Sequence, residues 1–181
     1  VMGNLTFVGI SGSLRKASRN TGLLRCCAAH LPQNVSLEIA DISALPFYNA
    51  DIEKPAVVQR LIDQVSAADG LVLACPEYNY SLAPALKNAL DWLSREPDLA
   101  PLTGKTACIV GAGGGMGTSR AQYHLRQVCV YLNLHVLNKP ELFSNAFTPA
   151  FADNGDVQDE GLASQATALM QAMTDWTLRL K

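Results

Sequence analysis

The chain has 181 residues, 49% of them hydrophobic, and a formal net charge of −2. That length suits a single domain spanning residues 1–181 with a real core, and the near-balanced charge gives no electrostatic reason to expect nucleic acid or an anionic membrane as partner. No apolar run approaches the ~20 residues needed to cross a bilayer and no secretory signal opens the chain, so a cytoplasmic protein is expected. Val1, ahead of Met2, reads as an appended residue.

Leu5–Ser11 is continuously apolar and predicts a first strand. After a polar turn, Leu24, Cys27, Ala28 and Leu31 fall at i, i+3, i+4 and i+7, the spacing of a helix face. Val35–Ala40 alternates, as a strand with one polar face does, and Val58, Leu61, Ile62 and Val65 restore the helical spacing. Gly70–Cys75 is a third, continuously apolar strand that stops at Pro76. Leu86, Leu90 and Leu93 mark the next helix, with Pro84 tolerated in its first turn. Thr106–Val110 predicts a fourth strand, leading through glycines to a helix carrying Leu125, Val128, Cys129 and Leu132. Leu134–Asn138 alternates again, and Leu162, Ala166, Leu169, Met170 and Met173 form the closing helix.

Alternating strands and helices imply an α/β fold, a parallel sheet with helices on both faces. Central strands of such a sheet are apolar throughout, whereas edge strands keep a polar face. Here the second and fifth strands alternate, which matches the flavodoxin-like order 2-1-3-4-5, a three-layer sandwich, better than the Rossmann order.

Three unusual loops follow strands one, three and four, neighbours in that order, so they can converge beyond the carboxyl edge of the sheet. The first, Ser11-Gly12-Ser13-Leu14-Arg15-Lys16-Ala17-Ser18-Arg19-Asn20-Thr21, sets hydroxyls and three cations before a helix start, where free N–H groups favour an anion. Phosphate binding accounts for that richness better than an N-cap turn with solvated basic residues. The second, Pro76-Glu77-Tyr78-Asn79-Tyr80-Ser81, suits an irregular loop, and its tyrosines offer flat surfaces to a ring. In the third, Gly111-Ala112-Gly113-Gly114-Gly115-Met116-Gly117, missing side chains allow either close approach of a ligand or a flexible connection.

Other signals fail. Gly104-Lys105-Thr106 echoes a P-loop, but Leu99 stands where its first glycine belongs, and a strand follows. Met116 spoils a dinucleotide fingerprint, and Ser119 lacks the acid and histidine order of a hydrolase triad. His30, His124 and His135 share no metal-ligand spacing and read as surface or core residues. The five cysteines, Cys26, Cys27, Cys75, Cys108 and Cys129, are odd in number and form no C-x-x-C, which argues against disulfides or zinc and for reduced thiols.

Gly12-Ser13-Leu14-Arg15-Lys16-x-Ser18-x-Asn20, Pro76-Glu77-Tyr78-Asn79-Tyr80-Ser81 and Leu86-Lys87-Asn88-Ala89-Leu90-Asp91-Trp92 together resemble the NADPH-dependent FMN reductase family, particularly its bacterial chromate and quinone reductases. The resemblance runs from Leu5 to the closing helix. It implies FMN as cofactor, with Ser13, Leu14, Arg15, Ser18 and Asn20 at the phosphate. Pro76, Glu77, Tyr78 and Asn79 would lie along the isoalloxazine edge and ribityl chain, and Gly113 would face the flavin. NADPH, or NADH, would deliver hydride to flavin N5, leave, and be replaced by a small acceptor such as a quinone, chromate, an azo compound or free flavin. That is a ping-pong scheme needing no catalytic side chain and no metal. Arg15, Lys16 and Tyr80 are candidates for substrate contact. The resemblance also implies a homodimer or homotetramer, with Arg120-Ala121-Gln122-Tyr123-His124-Leu125-Arg126-Gln127 and Glu141 contributing to assembly. Two other readings remain: a flavodoxin-like carrier exchanging single electrons with proteins, against which the balanced charge weighs, and a flavin-free dinucleotide-binding dehydrogenase.

Overall fold

The most continuously apolar stretches of the chain form the middle of the sheet. A computed structural model describes residues 4–181, so the reading of Val1 and Met2 lies outside the described residues. In chain order the elements are β1 (Leu5–Ser11), α1 (Arg19–Ala29), β2 (Val35–Ile39), α2 (Ala56–Ala67), β3 (Gly70–Ala74), β4 (Glu77–Tyr78) and β5 (Ser81–Leu82). There follow α3 (Pro84–Leu93), a 3-10 turn (Pro97–Leu99), β6 (Thr106–Gly113), α4 (Ser119–Tyr131), β7 (His135–Val136), β8 (Leu142–Asn145) and α5 (Glu160–Leu180).

The main sheet is parallel, with order β2-β1-β3-β6-β7 and β8 also pairing with β6. This is the expected flavodoxin-like arrangement. β3 is buried along its whole length, whereas β2 alternates between exposed and half-buried residues, as an edge strand does. α1 and α5 cover one face, packing Leu23, Leu24, Leu169 and Met170 against Phe7, Val72 and Val110. α2, α3 and α4 cover the other, packing Leu61, Leu90 and Leu125 against Val8, Leu71 and Ile109. No helix among the described residues is long and apolar enough to cross a membrane.

Four expectations change in detail. The helix carrying Leu24 and Cys27 stops at Ala29, so Leu31 packs on the core from beyond its end. The expected fifth strand over Leu134–Asn138 is only His135–Val136, opposite the start of β6. β8 takes over opposite Val110–Gly113, after Pro140, which has no N–H to give a ladder. The second loop is not irregular but a tight antiparallel hairpin, β4–β5, whose turn residues Asn79 and Tyr80 have φ of 51° and 70°. Two positive φ values match the twist of a two-residue hairpin. Finally, β6 runs on to Gly113, so the glycine run is partly strand.

Gly22 in α1 lies against the turn at Gly155, where a Cβ on residue 22 would overlap the Gly155 carbonyl oxygen. Gly22→Ala is therefore expected to destabilise the fold by about 1–3 kcal/mol, because the helix and that turn must move apart. Urea unfolding monitored by circular dichroism checks this.

Candidate functional site

The loop after β1 is built by its own hydroxyls. Ser18 is the N-cap of α1, its Oγ accepting from Thr21 N at 3.1 Å. Ser11 Oγ accepts from Ser13 N at 3.2 Å and from the Thr21 hydroxyl at 3.0 Å. Asn20 reaches across the sheet: its Nδ2 donates to Ala112 O at 3.0 Å, and Ala112 N donates to its Oδ1 at 2.9 Å. These bonds fix the first turn of α1, whose initial N–H groups have no carbonyl partner within the helix. Ser18 and Asn20 thus give their side chains largely to shaping the loop.

A cleft of about 300 Å³ opens beside that turn. Ser13, Arg15, Ser18, Arg19 and Asn20 line one end, Pro76, Glu77 and Tyr78 one side, and Ala112, Gly113 and Gly114 the other. Arg19 Nε is buried and has no hydrogen-bond partner among the described residues. A buried guanidinium nitrogen without a partner is costly, and an anion in the cleft would satisfy it. The donor set there, two guanidiniums, the hydroxyls of Ser13 and Ser18 and the free amides of a helix start, suits a phosphate.

Eight of the ten expected cofactor residues meet in this cleft; Leu14 and Asn79 do not line it. Of the expected substrate residues Arg15 lines it, whereas Lys16 and Tyr80 line neither it nor the second cavity described below. Glu77 turns its carboxylate toward α4, where Arg120 Nε donates to Oε1 at 2.6 Å and Ala121 N donates to Oε2 at 3.3 Å. The glycines divide. A Cβ at Gly111 or Gly113 would strike Thr118, so these two allow close packing of α4, while a Cβ at Gly114 would meet nothing within 4 Å. Ala146 and Phe147, which complete the wall after β8, carried no signal in the sequence, because the pairing of β8 with β6 brings them there. Arg19 belonged to the predicted loop but was not singled out, since a cation beside a helix start ordinarily reads as solvated.

A second cavity of about 600 Å³ shares Arg15 and Tyr78 with the first. Its wall is mainly apolar, formed by Leu14, Ile42, Leu45, Phe47, Pro84 and Ala85. The loop carrying Phe47 is held rigidly from α3. Asn88 Nδ2 and Trp92 Nε1 donate to Pro46 O at 2.9 and 2.8 Å, and Tyr48 N donates to Asn88 Oδ1 at 2.8 Å. Tyr48 also meets Trp92 edge to face, with centroids 5.1 Å apart. Phe47 is left 77% exposed on a fixed support at the rim of an apolar cavity. An apolar cavity with one cation at its edge suits a flat, weakly polar molecule.

Among the described residues no cluster of potential ligands is suited to a metal. His30 Nδ1 lies 2.8 Å from Cys26 O, and His124 Nδ1 lies 3.1 Å from Ser81 Oγ; His135 is exposed. All five cysteines are free and buried. Burial pushes the thiols of Cys27, Cys75 and Cys129 up to about 12, raises Cys108 well above its ordinary range, and raises Cys26 as well. A thiol held protonated is no nucleophile, which removes cysteine chemistry from the site.

Residues 5–149 match the model of the NADPH-dependent FMN reductase family. The chain is 44% identical over 182 residues to an NAD(P)H-dependent FMN reductase of Pseudomonas aeruginosa, covering 98% of each protein. It is 43% identical to an NAD(P)H:quinone oxidoreductase of Solanum tuberosum, covering 96% of this chain and 93% of that one. Its structure is similar to that of a flavoenzyme NAD(P)H:(acceptor) oxidoreductase from Paracoccus denitrificans, with a TM-score of 0.87 and 30% identity, covering 97% of this chain and 98% of the other.

The thiols give a pH-dependent prediction. The folded state keeps protons on Cys27, Cys75 and Cys129 up to about 12, while the unfolded chain releases them around 9.0. Their contribution to stability is therefore complete below the unfolded value and is lost as pH rises through the window between the two. The urea midpoint is expected to fall across that window. At about pH 8, a thiol-specific disulfide reagent should label all five cysteines of the unfolded protein and scarcely any of the folded one.

Proposed function

The chain belongs to the NADPH-dependent FMN reductase family, and on that footing we propose that it is a single-domain, FMN-bound oxidoreductase that spends NAD(P)H on small acceptors, quinones foremost. Bound FMN would supply two-electron carrier chemistry between NAD(P)H and the acceptor, so no side chain need act as acid or base in the first half-reaction. The chain's own residues bind, orient and balance charge.

Ser13, Arg15, Ser18, Arg19, Asn20 and the free amides of α1 would hold the phosphate. Pro76, Glu77, Tyr78, Gly113 and Gly114 would flank the rest of the cofactor, with Leu14 and Asn79 at the margins. The observation that carries this reading is the buried Arg19 Nε, partnerless among the described residues, in a cleft walled by the loops after β1, β3 and β6. Open space at Gly114 supports it, since a cofactor needs room where that side chain is missing.

The second cavity is proposed as the acceptor site, with Phe47, Leu14 and Tyr78 gripping a flat ring and Arg15 facing its oxygen. Quinone reduction in the Solanum tuberosum relative supports that substrate class; chromate, azo compounds and free flavin are further candidates. A cytoplasmic homodimer or homotetramer is proposed as the working form. Its support is the exposure of Tyr123, Val130 and Tyr131 on α4, where the Tyr123 hydroxyl donates to Glu141 Oε1 at 3.3 Å.

An anaerobic visible spectrum tests the function. Protein mixed with FMN should show bound-flavin bands that bleach rapidly on adding NADPH and return with a quinone. Bands that NADPH leaves intact would point to an electron carrier instead, and the lack of any bound flavin would defeat the cofactor assignment. For the acceptor site, Phe47→Ala should raise KM for 1,4-naphthoquinone about tenfold, close to ~1.4 kcal/mol of lost apolar contact, with a much smaller change in kcat. An unchanged KM in steady-state kinetics would place the acceptor elsewhere.

A further inference from the structure

Glu77 is the one acidic side chain in the wall of the proposed FMN cleft, and only 7% of it is exposed. It shares that wall with Arg15 and Arg19, the two cations there. Left to itself, a buried carboxylate in such a place would pair with those guanidiniums and compete with an incoming phosphate for them. It is held elsewhere. Arg120, which lines neither cavity, binds Glu77 Oε1 through both Nε, at 2.6 Å, and Nη2.

The other carboxylate oxygen accepts from the backbone of Ala121 in the first turn of α4. That helix lacks a side-chain cap from its own N-cap residue, Thr118, whose hydroxyl accepts from Gln122 Nε2 instead. Glu77 takes over as the anion at the helix start, where it is favoured by the unpaired amides and the helix dipole. The Arg120 guanidinium also lies over the Tyr80 ring, 3.7 Å from its centroid, so it grips the hairpin at its first strand and again at its turn.

We propose that Arg120 is a positioning residue for the FMN cleft: it neutralises Glu77 and draws it onto α4, leaving Arg15 and Arg19 free for the phosphate. The proposal rests on the cofactor reading above. It assigns Arg120 a role within one chain, beside any part α4 plays in assembly.

The test is FMN affinity of the apoprotein, measured by quenching of flavin fluorescence, with no turnover involved. Arg120→Met should weaken FMN binding about tenfold, because it frees a carboxylate to occupy the phosphate's partners. Adding Glu77→Gln to Arg120→Met should restore binding to within about threefold of the unsubstituted protein, since the competing charge is gone. Loss of a helix cap, of hairpin packing or of a subunit contact would not be repaired by Glu77→Gln. A double variant as weak as Arg120→Met, or an Arg120→Met variant that binds FMN normally, overturns the proposal. Should Arg120→Met prove too unstable to assay, Arg120→Lys, which keeps the charge but loses the two-pronged grip and stacking, should give an intermediate loss; affinity equal to the unsubstituted protein's overturns the proposal. If the unsubstituted apoprotein does not quench FMN at all, the cofactor reading falls and takes this role with it.

Discussion

In a parallel sheet the chain must return to the same edge after every strand, and each return helix must choose a face. After β1 the chain departs to the face covered by α1 and α5, and after β3 to the face covered by α2, α3 and α4. Because β1 and β3 are neighbours, their loops diverge and a crevice has to open between them. The three distinctive loops lie at or beside that crevice, and the cleft, its cations and its glycines follow from the position.

A crevice becomes a binding site only if its walls are held still. Much of the polar chemistry here serves that end. Asn20 ties the start of α1 to the backbone of Ala112, Ser18 caps the same helix, and Ser11 gathers two neighbours of the loop. The side chains that remain uncommitted, Arg19 above all, are the ones a ligand can satisfy. The same division governs the second cavity, where Asn88 and Trp92 are committed to the Pro46 backbone and Phe47 is left at the rim. Rigid support with a few unsatisfied groups is what lowers the cost of ordering a ligand.

Electrostatics follow a similar economy. The thiols are buried and protonated, and the single cleft carboxylate is drawn onto α4 by Arg120 and a helix start. Among the described residues the charge left unpaired at the cleft is positive, from Arg15 and Arg19, an environment fitted to an anionic cofactor that undergoes its own redox chemistry.

Continuous hydrophobicity in Leu5–Ser11, Gly70–Cys75 and Thr106–Val110, with alternation in Val35–Ala40, was enough to order the strands, because burial on both faces demands apolar side chains at every position. The loops' residue types, hydroxyls and cations before a helix and glycines after a strand, were likewise legible, since local propensity and helix-end chemistry are properties of neighbours in sequence. The break of the fifth strand into β7 and β8, the tight turn at Asn79 and Tyr80, and the arrival of Phe147 at the cleft were not, because each depends on pairing with distant backbone. Nor does any local pattern tell that Asn20 would bond to Ala112, or that the Glu77 carboxylate would pair with Arg120. The sequence by itself determined which segments are buried and which loops carry chemistry; tertiary structure alone decided which of those side chains hold the site together and which are left free to bind, since a hydrogen bond belongs to whichever partner the fold brings within reach.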